Sequence, residues 1–270
     1  MMSLPKPTGT FRWTETEAGP ALVCNALAPV AAHLFTTRPW KLGSSTSGDH
    51  TEGWRDVAAA MHVVPGDLVR VHQVHGASVV VVRRRDSQEH LPGTAPCQLP
   101  DADILITQDP DVALAIQTAD CVPILIADRK TGAVAAAHAG WRGLAAAVPT
   151  ATVDALARAF ATRPEDLIAA VGPSIGAARY EVDLTVLSRF EKNGFSSEHI
   201  GRWFYDGDRP DHWYFDGAQS AHDQLTVAGL RPGQIHVARL CTATHGDVLC
   251  SYRRDGRAAG RMAAVIRMRR

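Results

Sequence analysis

His75, Cys121 and His138 are side chains that bind soft metal ions, and each stands close to a glycine or an aspartate where a β-strand is expected to end. Two imidazoles and a thiolate suit zinc or copper. Three protein ligands leave one coordination position for water or substrate, which marks a catalytic rather than a closed structural site. A metal held in this way lowers the pKa of bound water to about 7, which supplies hydroxide at neutral pH for attack on an amidine-like carbon such as that of a purine undergoing deamination. The separations match no compact finger or ribbon, so the fold must bring the three together. Cys121 has two other readings, ranked below the first: a metal-free nucleophile with His138 as its base, and an inert buried thiol.

Other residues could complete such a site. Asp120 could orient a ligand or shuttle a proton, or it could shape a turn by accepting from nearby amides. Gln73 lies two residues before His75 and projects to the same side of a strand, within reach of a substrate or at a strand edge. Arg142 and Arg38 sit at chain turns beside glycine or proline, where a guanidinium fork binds phosphate or carboxylate or serves a structural ion pair. Arg253 belongs to a basic cluster with Arg254, Arg257 and Arg261 that could grip a small anion; for Arg254 and Arg257 a solvated turn is the first reading. Trp141 is as well suited to the core as to a site wall. His72 is a rival ligand, but His75 has the glycine that permits close approach.

The elements that must position these residues can be read from apolar runs and their punctuation. Leu22 to Thr37 is β-rich, and Gly43 to Gly48 reads as loop. A helix follows, capped by Asp49 or Thr51, with Val57, Ala60 and Met61 inward and Pro65 and Gly66 ending it. Leu68 to Val74 and Val79 to Arg83 read as strands with His75 on the bend between them, and Asp86 to Pro100 as an exposed loop. Val112 to Gln117, Val122 to Ala127 and Ala133 to Ala137 read as consecutive central strands. A helix recapped by Thr150 or Thr152 then runs to about Phe160. Further strands are expected at Leu167 to Val171, Ile235 to Arg239, Val248 to Tyr252 and Met262 to Met268, and helices at Leu184 to Glu191 and Gly217 to Ala228. Gly172 to Gly176 is a sharp turn without the lysine of a phosphate loop. The mixture indicates an α+β domain without regular βαβ alternation.

With 46% hydrophobic residues over 270 positions, the chain can bury a sizeable core, and one domain over 1–270 is the expectation. Basic and acidic residues balance at 28 each, which gives no reason to expect a nucleic-acid or anionic-membrane partner. No stretch approaches the roughly 20 apolar residues of a membrane span and no apolar leader is visible, so a cytoplasmic protein is expected. Five scattered cysteines make no disulfide framework, and reduced thiols are the simplest reading.

Five ordered motifs then carry a resemblance. Gln73-Val74-His75-Gly76, Thr118-Ala119-Asp120-Cys121-Val122-Pro123-Ile124-Leu125, Ala136-Ala137-His138-Ala139-Gly140-Trp141-Arg142-Gly143, Gly172-Pro173-Ser174-Ile175-Gly176 with Tyr180-Glu181-Val182-Asp183, and Ser251-Tyr252-Arg253-Arg254-Asp255-Gly256 with Gly260-Arg261 together resemble the laccase-domain (YfiH-like) family, also called the purine nucleoside phosphorylase or polyphenol oxidase family. The resemblance implies a single four-layer α/β/β/α domain and a zinc held by His75, Cys121 and His138. It further implies phosphorolysis of adenosine, inosine, guanosine or methylthioadenosine, with purine nucleoside and phosphate as the bound partners, and deamination of adenosine. Arg38 matches the arginine opening the family's amino-terminal motif. After it the sequence departs: Pro39-Trp40-Lys41-Leu42-Gly43 and Ser47-Gly48-Asp49 stand where a glycine pair, an Asn-Leu-Gly segment and a His-Val-Gly-Asp run are usual. The alternatives are a copper-dependent polyphenol oxidase, a metal-free cysteine hydrolase and a non-catalytic nucleoside-binding module. Against the oxidase, a multicopper oxygen-reducing cluster needs paired histidines, and no His-x-His occurs.

Overall fold

Apolar strands buried on both faces need cover on both sides, and this chain supplies it by stacking two six-stranded sheets against each other. A computed structural model describes residues 3–83 and 99–269. The first sheet runs Phe11–Thr16, Gly19–Cys24, Ala31–Phe35, Met262–Met268, Ala113–Thr118, Leu68–Val69. The second runs Ile235–Val237, Leu167–Val171, Val122–Asp128, Val134–Ala139, Ile104–Thr107, Val79–Val81. Met262, Ala264 and Ile266 point into the cluster between the sheets, while Ala263 and Val265 point into the cluster on the outer face. A strand with two dry faces loses the usual polar alternation, which is why these segments read as unbroken apolar runs.

Helix Thr51–Ala60 lays Trp54, Val57 and Ala58 on the outer face of the first sheet. Helices Val148–Phe160, Leu184–Lys192 and Gly217–Val227 cover the outer face of the second through Val153, Leu156, Val186, Phe190, Ala221 and Leu225. Each large apolar side chain buried in this way contributes about 1.5–3 kcal/mol. A small sheet of Glu181–Asp183, His212–Phe215 and Phe204–Asp206 packs Phe204 and Phe215 onto Phe190.

Most predicted elements stand at or near their expected places, and the departures have identifiable causes. Val112 to Gln117 does not neighbour Val122 to Ala127. The chain changes sheets between Thr118 and Val122, through Asp120 at φ 92. Val248 to Tyr252 is not a strand: Val248 and Leu249 donate to the His245 carbonyl, and a short helix Tyr252–Asp255 follows, capped by the Ser251 hydroxyl. Neither Thr150 nor Thr152 caps a helix. The break falls at Ala147 (φ 57), with Pro149 in the next first turn, and the Thr152 hydroxyl donates to the Val148 carbonyl within the helix. Asp49 does not cap helix Thr51–Ala60 either, because its carboxylate accepts from Gln117 and Arg70. Gly43–Ser44 and Gly48–Asp49 pair as a small hairpin within the expected loop. The segment Asp86 to Pro100, apart from Leu99 and Pro100, lies outside the described residues, as does Cys97. Cys24, Cys121, Cys241 and Cys250 are free thiols. Among the described residues no helix is long and apolar enough to cross a membrane.

Candidate metal centre and its pocket

Strand register explains how three distant residues meet. Val79–Val81, Ile104–Thr107, Val134–Ala139 and Val122–Asp128 are successive neighbours, with Val79 opposite Ile104, Ile104 opposite Ala137, and Pro123 opposite His138. His75 precedes the first of these strands and Cys121 the last, and His138 sits within the third. All three therefore arrive at one end of the sheet, and their ligand atoms lie within 4.8 Å of one another. The His75 and His138 rings meet edge to face with centroids 4.8 Å apart. His75 and Asp120 both hold positive φ, at 60° and 92°, a conformation that non-glycine residues keep only where surrounding contacts enforce it. Gly140 is required by space. A Cβ there would stand 2.9 Å from Cys121 Sγ and 3.1 Å from His75 Cδ2.

Behind the ligands lies Asp103, with no exposed surface. Its Oδ1 is 2.8 Å from His138 Nδ1 and accepts from the His75 amide at 3.1 Å, and its Oδ2 accepts from the Gly76 amide at 2.6 Å. Burial works to raise the Asp103 pKa, but His138 and these amides hold it below the ordinary carboxylate value. Burial likewise works to raise the Cys121 thiol, yet His138 and His75 outweigh it and bring the thiol down to about 6. Burial works to lower His138, whereas the Cys121 sulfur and Asp103 hold it up at about 9. The donor set of two imidazoles and a thiolate, with ligand atoms within 4.8 Å of one another, fits zinc or copper.

These residues open onto a cavity of about 690 Å³, lined also by Gln73, Asp120, Arg142, Trp141, Tyr180, Tyr252 and Arg253. The Gln73 side-chain amide is clamped to the backbone of Gln117, donating at 2.9 Å and accepting at 2.7 Å. Asp120 accepts from the Thr242 hydroxyl at 2.5 Å and from the Arg253 amide at 2.6 Å, so it ties the Cys121 turn to two distant segments. The Arg142 guanidinium lies over the Trp141 ring at 4.3 Å, and that of Arg253 over Tyr180 at 4.9 Å. Arg253 also donates to the Glu181 carbonyl at 2.9 Å. Arg38 is not among the lining residues and pairs with Asp255 at 2.9 Å. His72 reaches the cavity wall but not the ligand trio, and pairs with Asp101 at 2.7 Å.

The residue that reading the sequence misses is Asp103. Its only sequence signal is an acidic residue abutting the apolar run Ile104–Thr107, and its role depends on pairing with His138, which no local pattern reveals. Tyr180 is a second omission. Burial raises its pKa, reinforced by the Cys121 charge, so its hydroxyl stays protonated.

Comparison with known proteins finds similarity in both sequence and fold. The profile of a family described as multi-copper polyphenol oxidoreductase laccase matches residues 46–269. A purine nucleoside phosphorylase from Deinococcus radiodurans is 37% identical over 246 residues, covering 87% of this chain and 88% of that protein. Purine nucleoside phosphorylase YfiH from Escherichia coli is 35% identical over 218 residues, covering 81% of each. The crystal structure of the Bacillus licheniformis hypothetical protein YfiH superposes with a TM-score of 0.84 at 26% identity, over 97% of this chain and 100% of that one.

Proposed function

The chain belongs to the multi-copper polyphenol oxidoreductase laccase family, and from that premise we propose that it is a zinc-dependent purine nucleoside phosphorylase that also deaminates adenosine. The observation that carries this reading is the convergence of His75, Cys121 and His138 on a cavity walled by aromatic rings and arginines. The names of its relatives supply the substrate class. On this reading residues 1–270 work as one domain in the cytoplasm, where thiols stay reduced.

In phosphorolysis a phosphate oxygen bonds to ribose C1′ as the bond from C1′ to the purine nitrogen breaks, and the purine leaves with a proton. In deamination water adds at purine C6 and ammonia departs. Trp141, Tyr180 and Tyr252 offer ring faces for the base, and Arg142 and Arg253 offer guanidinium groups for phosphate. Holding the reactants in line removes much of the entropic barrier, and Asp120 serves that end by fixing the Arg253 backbone. The protonated Tyr180 hydroxyl can donate to the departing base. Zinc bound by His75, Cys121 and His138 supplies Lewis acidity toward substrate or water.

Incubation of the protein with adenosine, with and without phosphate, tests the proposal by chromatography. Adenine with phosphate and inosine without it are expected, and recovery of unchanged adenosine in both arms refutes it. Cys121→Ala is expected to lose zinc and both activities, and a fully active metal-free variant would overturn the assignment. Stoichiometric copper with phenol turnover would favour the oxidase. A second reading rests on a specific observation: Cys121, His138 and Asp103 form a chain suited to a metal-free thiol hydrolase. Activity that resists chelators but is destroyed by iodoacetamide would select it.

A further inference from the structure

Asp103 is a fully buried carboxylate whose polar contacts among the described residues all go to the two histidine arms of the candidate metal centre. We infer that Asp103 is the positioning residue of the site, holding the His138 ring and the His75 backbone in place and supplying the second negative charge that matches a divalent cation. The inference rests on the zinc reading above and concerns how the zinc site is held in shape.

Three observations lead to it. First, Asp103 and His138 are joined twice: the His138 amide donates to the Asp103 carbonyl at 2.8 Å, and Nδ1 lies 2.8 Å from Oδ1. An acceptor-only carboxylate at Nδ1 requires the proton on that nitrogen, which leaves Nε2 as the ligand atom. Second, the same carboxylate takes the consecutive amides of His75 and Gly76. Successive amides converging on one anion next to a left-handed residue form a nest, and His75 at φ 60 is that residue. One side chain thus fixes the ring of one ligand and the backbone of another. Third, the charges balance. The Cys121 thiolate and the Asp103 carboxylate together carry two negative charges, which a divalent ion neutralises and a monovalent ion does not. His138 is the ion-pair partner of Asp103 among the described residues.

The test is Asp103→Asn, which keeps the shape but removes the charge and turns one acceptor into a donor facing an amide or imidazole N–H. Zinc affinity is read by competition against a chromophoric chelator, alongside the thermal melt of the zinc-free protein. The expected result is a loss of about 10–100-fold in zinc affinity in a protein that still melts cooperatively. Asp128→Asn is the control, because Asp128 is buried at the end of strand Val122–Asp128 and its side chain, among the described residues, accepts from the turn amides of Lys130 and Thr131. It should lower the melting temperature and leave zinc affinity unchanged. If Asp103→Asn lowers stability but binds zinc as tightly as the wild type, Asp103 is a structural residue and the inference fails while the zinc reading stands. If the wild type takes up no zinc, the reading beneath it fails as well. Nitrogen NMR of the wild-type His138 ring needs no variant: a zinc-loaded protein with the proton on Nδ1 supports the inference, and a proton on Nε2 overturns it.

Discussion

Gly140→Ala probes the metal centre by adding one methyl group. The backbone of Gly140 (φ −69, ψ 176) is open to any residue, so the substitution brings no conformational strain. Its new Cβ would stand 2.9 Å from Cys121 Sγ and 3.1 Å from His75 Cδ2. Ordinary contact begins near 3.4 Å, so the sulfur must retreat by at least about 0.5 Å and the imidazole by a few tenths. A working metal site holds its ligand distances to within ~0.2 Å, and two of the three donors are pushed beyond that. We expect zinc affinity to fall on the order of 100-fold, or ~2.8 kcal/mol. The global cost should be small, because replacing glycine at a compatible site offsets local crowding by about 0.4–1 kcal/mol through the unfolded chain. A chelator-competition titration with a parallel thermal melt of the zinc-free protein separates the two effects. A folded Gly140→Ala protein that binds zinc within threefold of the wild type would refute the proposed coordination geometry.

Further expectations concern protons and the Asp120 clamp. Iodoacetamide should alkylate Cys121 of zinc-stripped protein with a rate midpoint at about pH 6, following its depressed pKa; a midpoint near an ordinary thiol value would contradict the thiolate–imidazolium pair. His138 holds its proton up to about pH 9 without zinc, so zinc must displace that proton. Zinc affinity should therefore rise about tenfold per pH unit from 7 to 8 and level off above 9, and calorimetry in buffers of different ionisation enthalpy should find one proton released. Of the two shifts, the lowered Cys121 value adds stability that is lost as pH falls through about 6, and the raised His138 value adds stability that is lost as pH rises through about 9. Zinc-free protein should thus melt at lower temperature on either side of that window. Asp120→Asn weakens the bonds to Thr242 and Arg253; kcat/KM for phosphorolysis should drop about 10-fold, ~1.4 kcal/mol, while zinc content stays stoichiometric, and loss of the metal would show that Asp120 acts on the ligands instead.

The meeting of His75, Cys121 and His138 was legible because glycine and aspartate mark the ends of strands, and Leu167–Val171 and Met262–Met268 stand where their apolar runs put them. What a run cannot say is which sheet it joins. Ala113–Thr118 and Val122–Asp128 look alike in sequence because both are dry on two faces, and only the turn at Asp120 sends them to different sheets. Val248 to Cys250 misled for a related reason: they are buried, but by packing beneath a turn rather than by joining a ladder. Asp103 was illegible because its meaning lies in a partner 35 residues away. The grip of Gln73 on Gln117 and the pairing of Arg38 with Asp255 are long-range in the same sense.

His75 and Cys121 both lie where the chain leaves one six-stranded sheet for the other, between Leu68–Val69 and Val79–Val81 and between Thr118 and Val122. An ion gripped at both passages would act as a rivet through the seam of the sandwich. Withdrawing it would first loosen these two passages, so a protease or hydrogen–deuterium exchange should find residues 70–78 and 118–122 opening while the strands on either side remain protected.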